Sequence, residues 1–245
     1  MIPARLGSSR LPRKPLLPLA GEPLILWVTR RVAELGVCDR LVVATDAREI
    51  ATVVQRAGFE AVLTSPEHRS GTERVAEVVG KQDFRDFTFI VNVQGDEPFI
   101  APSGVRGALG CLERGEILGT AAGSLDARLA GDPNRVKVVV DARGRAVYFS
   151  RAPIPFDRDE TGDVQYHQHV GVYAYTREGL DCWVRLPPVP EERWERLEQL
   201  RPLLHGIPIG VTLFEGPPPA PGIDTPADLA WAEGEVTRQL KEVSP

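Results

Sequence analysis

Between residues 2 and 15 the chain reads I-P-A-R-L-G-S-S-R-L-P-R-K-P, a single loop crowded with a glycine, two serines and four cations. Such a loop suits a polyphosphate. Gly7 lets backbone amides approach closely, Ser8 and Ser9 can donate hydrogen bonds, and Arg5, Arg10 and Lys14 can offset anionic charge. The spacing is neither that of a Walker A loop nor that of a G-x-G-x-x-G fingerprint. Taken alone, these residues read equally well as a solvated basic turn.

A second group of chemistry-bearing residues is Q-G-D-E-P at 94–98, which follows a β-branched run. It sets two carboxylates past the carboxyl end of a strand, where ligands bind in open α/β sheets. Asp96 is the leading metal-ligand candidate and Asp224, in G-I-D-T-P, its distant partner. Magnesium takes hard oxygen donors, commonly one or two carboxylates completed by phosphates and water. The alternative is that Asp96 and Glu97 are turn residues ahead of Pro98. At 70–74, S-G-T-E-R precedes an apolar helical stripe, so Ser70 reads as an N-cap and Glu73 as a first-turn acid. The same amides and hydroxyls, with the donor fork of Arg74, also suit the polar edge of a base. Asp46 reads either as a ribose contact or as the cap of the helix after it.

Short β-branched runs at 40–44, 60–63 and 88–93 alternate with amphipathic segments at 24–35, 47–57 and 72–79, the pattern of β-α-β units. Met1 to Pro3 supply only the end of a first strand. A helix at 103–114 and a strand at 117–121 follow. The runs 136–140 and 146–149 then flank D-A-R-G at 141–144 like a β-hairpin, and the crossover pattern stops there. A loop at 152–162, a strand at 170–175 and a helix at 192–200 come next, with Trp194, Leu197 and Leu200 as its core stripe. Thr225 reads as an N-cap with Pro226 at the first helical position. His167 and His169 share one face of their strand. Without a cysteine or carboxylate constellation, His169 reads as a hydrogen-bonding residue rather than a zinc ligand.

The chain has 245 residues, 42% hydrophobic and 26% charged, enough to bury one α/β domain's core. A single domain over 1–245 is the expectation. The net charge of −5 argues against a general nucleic-acid or membrane-surface binder, so any phosphate site must be built locally. Lysine occurs only at Lys14, Lys81, Lys137 and Lys241. Cys38, Cys111 and Cys182 have no spacing for disulfides or zinc. The amino terminus lacks a basic-then-apolar signal pattern and no apolar run approaches the roughly 20 residues of a bilayer span, which predicts a cytoplasmic protein without stable membrane association.

In order and wording these fragments resemble the CMP-Kdo synthetases, within the nucleotide-sugar nucleotidyltransferases; Kdo is 3-deoxy-D-manno-octulosonate. The resemblance runs from Ile2 to about Leu229 and rests on I-P-A-R-x-x-S-x-R-L-P, K-P-L, A-T-D, S-G-T-E-R and V-N-V-Q-G-D-E-P. It continues through V-K-V-V, Y-F-S-R-A-P-I-P, H-V-G-V-Y-A-Y, L-E-Q-L-R and G-I-D-T-P. It implies a three-layer α/β/α sandwich with a mainly parallel, mixed, Rossmann-like sheet. Residues 145–175 would extend that sheet for homodimerisation and sugar binding.

The activity implied is transfer of CMP from CTP to Kdo with Mg2+ as cofactor, for lipopolysaccharide or capsule-type glycans. Another 2-keto sugar acid, such as a sialic acid or amino-Kdo, or a non-catalytic CTP-binding role, is the alternative. By the resemblance, Ala4, Arg5, Gly7, Ser8, Arg10 and Lys14 belong to the nucleotide's phosphates, and Ser70, Gly71 and Arg74 to its cytosine end. Gln94 would bridge nucleotide and sugar. Asp96 and Asp224 would hold magnesium and, with Lys14 and Arg10, carry catalysis. Arg151, His169, Tyr173, Glu198 and Gln199 would contact the sugar acid, Arg151 through its carboxylate. One departure is Arg13, which stands where the family commonly has glycine in L-P-G-K-P.

Overall fold

The structure is a computed structural model that describes residues 1–7, 10–216, 218, 220 and 222–243. The chain divides into two compact units, one comprising Met1–Lys81, Val93–Ile100 and Gly222–Pro245, the other Gln82–Asn92 and Ala101–Pro221. Residues 145–175 fall in the second.

The first unit opens with β1 (Ile2–Ala4), the short pair β2 (Pro18–Leu19) and β3 (Glu22–Pro23), and α1 (Leu24–Glu34). It continues through β4 (Val42–Thr45), α2 (Arg48–Arg56), β5 (Glu60–Leu63) and α3 (Gly71–Val79). Strands β1, β4 and β5 pair in parallel in that order, with Ile2 opposite Val43 and Val42 opposite Glu60. Parallel neighbours need crossovers, and the helices supply them. Ile2, Val42, Val43 and Ala44 are buried, as expected of a parallel strand covered on both faces. The helices bury stripes at helical spacing: Leu24, Ile25, Val28 and Val32 on α1, Ile50 and Val54 on α2, Val75, Val78 and Val79 on α3.

In the second unit β6 (Phe89–Val93, through Asn92), α4 (Pro102–Glu113) and β7 (Leu118–Leu125) precede β8 (Lys137–Val140), β9 (Ala146–Ser150) and the long β10 (Tyr166–Thr176). Then come α5 (Arg177–Arg185), α6 (Pro190–Glu195), α7 (Leu200–Leu204) and β11 (Gly210–Phe214). The sheet runs β11-β7-β10-β8-β9, with β6 also on β10. Strands β7 and β11 are parallel, while β7–β10, β10–β8 and β8–β9 are antiparallel. The chain closes with α8 (Pro226–Val243), in the first unit. The architecture is mixed α/β, with helices flanking parallel and mixed sheets. Among the described residues no helix is long and apolar enough to cross a membrane.

The turn between β8 and β9 forms as its sequence predicts: Asp141 Oδ1 accepts the amides of Arg143 and Arg145, each at 2.8 Å, and Gly144 takes φ 76°. Three expectations are corrected. The helix expected over 192–200 is broken, because Arg196 adopts a left-handed φ of 52° and ends α6; the Glu192 carboxylate then takes both Arg201 donors, Nε at 2.8 Å and Nη2 at 2.6 Å, tying α6 to α7. Trp194 is 77% exposed rather than core, while Leu197 and Leu200 are buried. Strand β10 begins at Tyr166, earlier than the apolar run shows, because its polar start is also buried.

Candidate active site

In the first unit, Met1, Pro3 and their neighbours anchor two loops at the carboxyl end of β1. The amide of Val93 bonds the carbonyl of Met1 at 3.0 Å, which brings Gln94-to-Asp96 alongside. Gly95 is required for that approach: a Cβ there would sit 2.7 Å from the Pro3 carbonyl oxygen. The chain then turns, Glu97 N to Gln94 O at 3.3 Å, so the turn reading of this motif is also met. The segment bearing Asp224 is stitched to the same place by Ile223 N to Asp96 O at 2.9 Å. Gly222 lies close against this contact, an added Cβ falling 3.3 Å from the Asp96 carboxyl carbon.

Asp224 is held from the other side by its own helix. Thr225 Oγ1 caps α8 by accepting the amide of Asp228 at 3.2 Å, and Asp228 Oδ2 accepts the amides of Asp224 and Thr225 at 3.0 and 2.7 Å. The Asp224 carboxylate is left to face the basic loop.

Lys14 and Arg10 meet these acids. Lys14 Nζ donates to Asp96 Oδ2 and, at 2.9 Å, to Asp224 Oδ1, while Arg10 Nη2 reaches Asp224 Oδ2 at 2.9 Å. The Lys14 side chain is 14% exposed against 54% for Arg10. Burial pulls the Lys14 ammonium down, but the Asp96 and Asp224 carboxylates outweigh it and leave its pKa above the usual lysine value. Two carboxylates and two cations from three separated segments thus form one cluster.

This cluster fits magnesium. Two hard carboxylates converge on one cationic atom in a partly buried setting, the donor set that a phosphate-bound divalent ion completes with phosphate oxygens and water. Among the described residues no group of three or more His, Cys, Asp or Glu side chains gathers as an all-protein metal cage.

The remaining nucleotide candidates lie close by in sequence and sheet. Ala4 is buried in β1; Arg5 and Gly7 are exposed, Arg5 Nη1 reaching Arg69 O at 3.5 Å. Ser8 lies outside the described residues. Ser70 caps α3, its Oγ accepting the Glu73 amide at 3.1 Å, and Gly71 packs on Pro3 with Gln94 Oε1 nearby. Arg74 is only 2% exposed and spends its fork within the unit, on Thr64 Oγ1, on Ser65 O at 3.3 Å and on Asp46 Oδ2 at 2.9 Å. Asp46 is therefore not the cap of α2; Ala47 occupies that position.

In the second unit, His169 Nε2 lies 2.9 Å from Thr120 Oγ1, whose hydroxyl donates to Val172 O at 2.7 Å. Thr120 therefore accepts from a neutral His169 protonated at Nε2. Burial pushes the His169 pKa down to about 3. Its ring packs 5.3 Å from Tyr173, across a bulge at residues 171 and 172. Glu198 and Gln199 sit in the turn between α6 and α7, Gln199 buried. The Arg151 guanidinium binds main-chain carbonyls: Nε to Glu195 O at 2.6 Å and Nη1 to Pro133 O at 2.7 Å.

Sequence reasoning gave no role to Lys137 or Glu195. Lys137 is fully buried, and its Nζ donates to the carbonyls of Asp132, Arg135 and Arg151 at 3.1, 2.6 and 2.5 Å. Glu195 accepts Ser150 Oγ at 2.6 Å and Arg151 N at 2.9 Å. A lysine among hydrophobic β-branched residues was the available signal for the first.

Residues 1–209 match the family described as cytidylyltransferase. The 3-deoxy-manno-octulosonate cytidylyltransferase of Gemmatimonas aurantiaca is 49% identical over 240 residues, covering 95% of this chain and 91% of the relative. That of Methylococcus capsulatus is 48% identical over 243 residues, covering 95% and 94%. A CMP:2-keto-3-deoxy-manno-octonic acid synthetase solved in complex with CTP superposes with a TM-score of 0.88 at 39% identity, covering 97% of each chain. With this agreement along nearly its whole length, the chain belongs to the cytidylyltransferase family, among the 3-deoxy-manno-octulosonate cytidylyltransferases.

Proposed function

We propose that this enzyme transfers CMP from CTP to the anomeric hydroxyl of Kdo, giving CMP-Kdo and pyrophosphate. The observation that carries the reading is the Lys14 ammonium set between Asp96 and Asp224 on a loop with Arg5 and Arg10, in a chain akin to a synthetase solved with CTP. The anomeric oxygen attacks the α-phosphorus and the P–O bond to the β-phosphate breaks in line, the electron pair leaving with pyrophosphate. The hydroxyl proton leaves to solvent or phosphate. No side chain needs to form a covalent bond. The protein's task is to bring two anions together and hold their charge.

Arg5, Arg10 and Lys14 face the triphosphate, with Ser8, Gly7 and Ala4 supplying hydroxyl and backbone donors. Ser70 and Gly71 serve the cytosine end, where Arg74 acts by fixing the Asp46 and Thr64 side chains. Asp96 and Asp224 would hold Mg2+, which when bound supplies charge neutralisation and polarisation at phosphate oxygens. Gln94 bridges nucleotide and sugar; His169, Tyr173, Glu198, Gln199 and Arg151 form the sugar-acid set. The enzyme acts in the cytoplasm, as a homodimer, in lipopolysaccharide or capsule-type glycan synthesis. Val147 and Phe156, 56% and 82% exposed, support residues 145–175 as the dimer face.

Pyrophosphate release from CTP with Mg2+, with and without Kdo, tests the reading, CMP-Kdo being detected directly. Release only with Kdo is expected. Release with a sialic acid or amino-Kdo and none with Kdo would reassign the acceptor; CTP binding without release in any case would leave a non-catalytic protein.

A further inference from the structure

The cation seated between Asp96 and Asp224 is the protein's own. Lys14 Nζ contacts Asp96 Oδ2 and Asp224 Oδ1, and Arg10 Nη2 takes Asp224 Oδ2, so two acids and two bases cancel locally. A divalent ion approaching the pair meets an ammonium already seated there, and like charges at contact distance in a partly buried site repel strongly.

The backbone of Lys14 is fixed by its turn, and its side chain ends in the ion pairs with Asp96 and Asp224. Lys14 N bonds Leu11 O at 3.1 Å and Leu17 N bonds Lys14 O at 3.1 Å, closing a turn of 3-10 helix. The ammonium rides on a flexible four-carbon stem with three donors. It can therefore exchange acceptors by rotating, without unfolding the loop. The acceptor the loop is built to receive is a triphosphate, whose charge exceeds that of the two carboxylates.

Resting on the reading of Asp96 and Asp224 as the metal-holding pair, we propose that Lys14 gates this pair: its ammonium closes the carboxylates in the free enzyme and leaves them for the triphosphate once CTP binds. Metal affinity is thereby conditional on nucleotide. Coupling of this kind is reciprocal, so metal also strengthens CTP binding beyond what the preformed metal–nucleotide complex provides.

The test titrates Mn2+ alone against nucleotide-free protein, following free Mn2+ by electron paramagnetic resonance. Wild type is compared with Lys14→Met, Lys14→Gln and the double variant Lys14→Met/Asp96→Asn, each checked for folding by circular dichroism. Both single variants are expected to bind Mn2+ at least about tenfold tighter than wild type, and the double variant to lose the gain. Single variants no tighter than wild type, when wild type takes up Mn2+ through Asp96 once CTP is present, overturn the gate and leave the metal pair standing. No Asp96-dependent Mn2+ binding even with CTP overturns both.

A second measurement needs no substitution. Because lysine occurs only at Lys14, Lys81, Lys137 and Lys241, side-chain ammonium resonances are few enough to assign by 15N NMR. CTP added in the presence of a chelator should shift the Lys14 signal; an unmoved signal in CTP-saturated protein overturns the exchange.

Discussion

Lys14 Nζ lies 2.9 Å from Asp224 Oδ1, joining residues 210 positions apart and making one cluster of the first loop and the start of the last helix. The contact is held on both sides by main-chain geometry. Lys14 sits in a closed turn, and Asp224 between the Ile223–Asp96 bond and the Thr225 cap. Perturbing the charges here should leave the scaffold intact.

Asp96→Asn preserves shape and the main-chain bond from Ile223 but removes one of the two charges assigned to the metal. Turnover should fall about 10²–10³-fold, as for loss of one transition-state charge contact. The thermal midpoint should move little, because the side chain is 24% exposed and Lys14 retains Asp224. Steady-state rates beside a melting curve check both; a folded variant with normal turnover would remove Asp96 from the mechanism.

Arg13 holds φ 58° and ψ 27°, a left-handed conformation that costs a side-chain-bearing residue about 1–2 kcal/mol. It is stabilised by its exposed ion pair with Glu49, a contact of modest worth. Arg13→Gly should therefore be neutral to about 1 kcal/mol stabilising, once glycine's greater unfolded-state freedom is subtracted. Arg13→Val, β-branched, should be clearly destabilising. Urea unfolding of the two variants decides, and a Val variant as stable as Gly would show the position to be unstrained.

Caps and turns were legible in the sequence because they are local: Ser70, Thr225 and the 141–144 turn each carry their own acceptors. Lys14, Asp96 and Asp224 were individually ambiguous, since nothing in their spacing brings them together; the contact depends on Gly95 allowing close backbone approach. Where prediction failed, a remote partner or an unmarked backbone had overridden the local pattern. Asp46 is drawn from its cap by Arg74, 28 residues on. Arg196 ends α6 without the glycine that usually marks such a position. The early start of β10 was hidden because its buried residues are polar, Gln168 being satisfied by Arg135 Nη1 at 2.8 Å.

His169 gives a pH dependence of stability. Its pKa in the fold is about 3, below the ordinary 6.5, because burial disfavours the imidazolium. Between these values the unfolded chain binds more protons than the folded one, so this contribution is complete above about pH 6.5 and is lost as pH falls toward 3. The slope reaches about 1.4 kcal/mol per pH unit. His169→Gln, which keeps an amide donor for Thr120, should flatten that part of the profile. Urea unfolding of both proteins from pH 7 to 4 tests this; parallel profiles would assign the acid sensitivity elsewhere.

Lys137 offers three donors to three main-chain carbonyls inside the second unit, and one of these belongs to Arg151. Burial lowers its pKa, yet the carbonyls favour the ammonium and the residue acts as a pin rather than a reactive amine. Lys137→Met fills similar volume but strands the carbonyls, so stability should drop by about 2–4 kcal/mol. With Arg151 in the proposed sugar-acid set, the folded fraction should show a raised KM for Kdo and a nearly unchanged KM for CTP. Equal effects on the two substrates would mean that the pin maintains the fold without positioning the acceptor side. Lys137→Arg, which keeps the charge but cannot fit its planar fork among three converging carbonyls, should rescue neither stability nor KM.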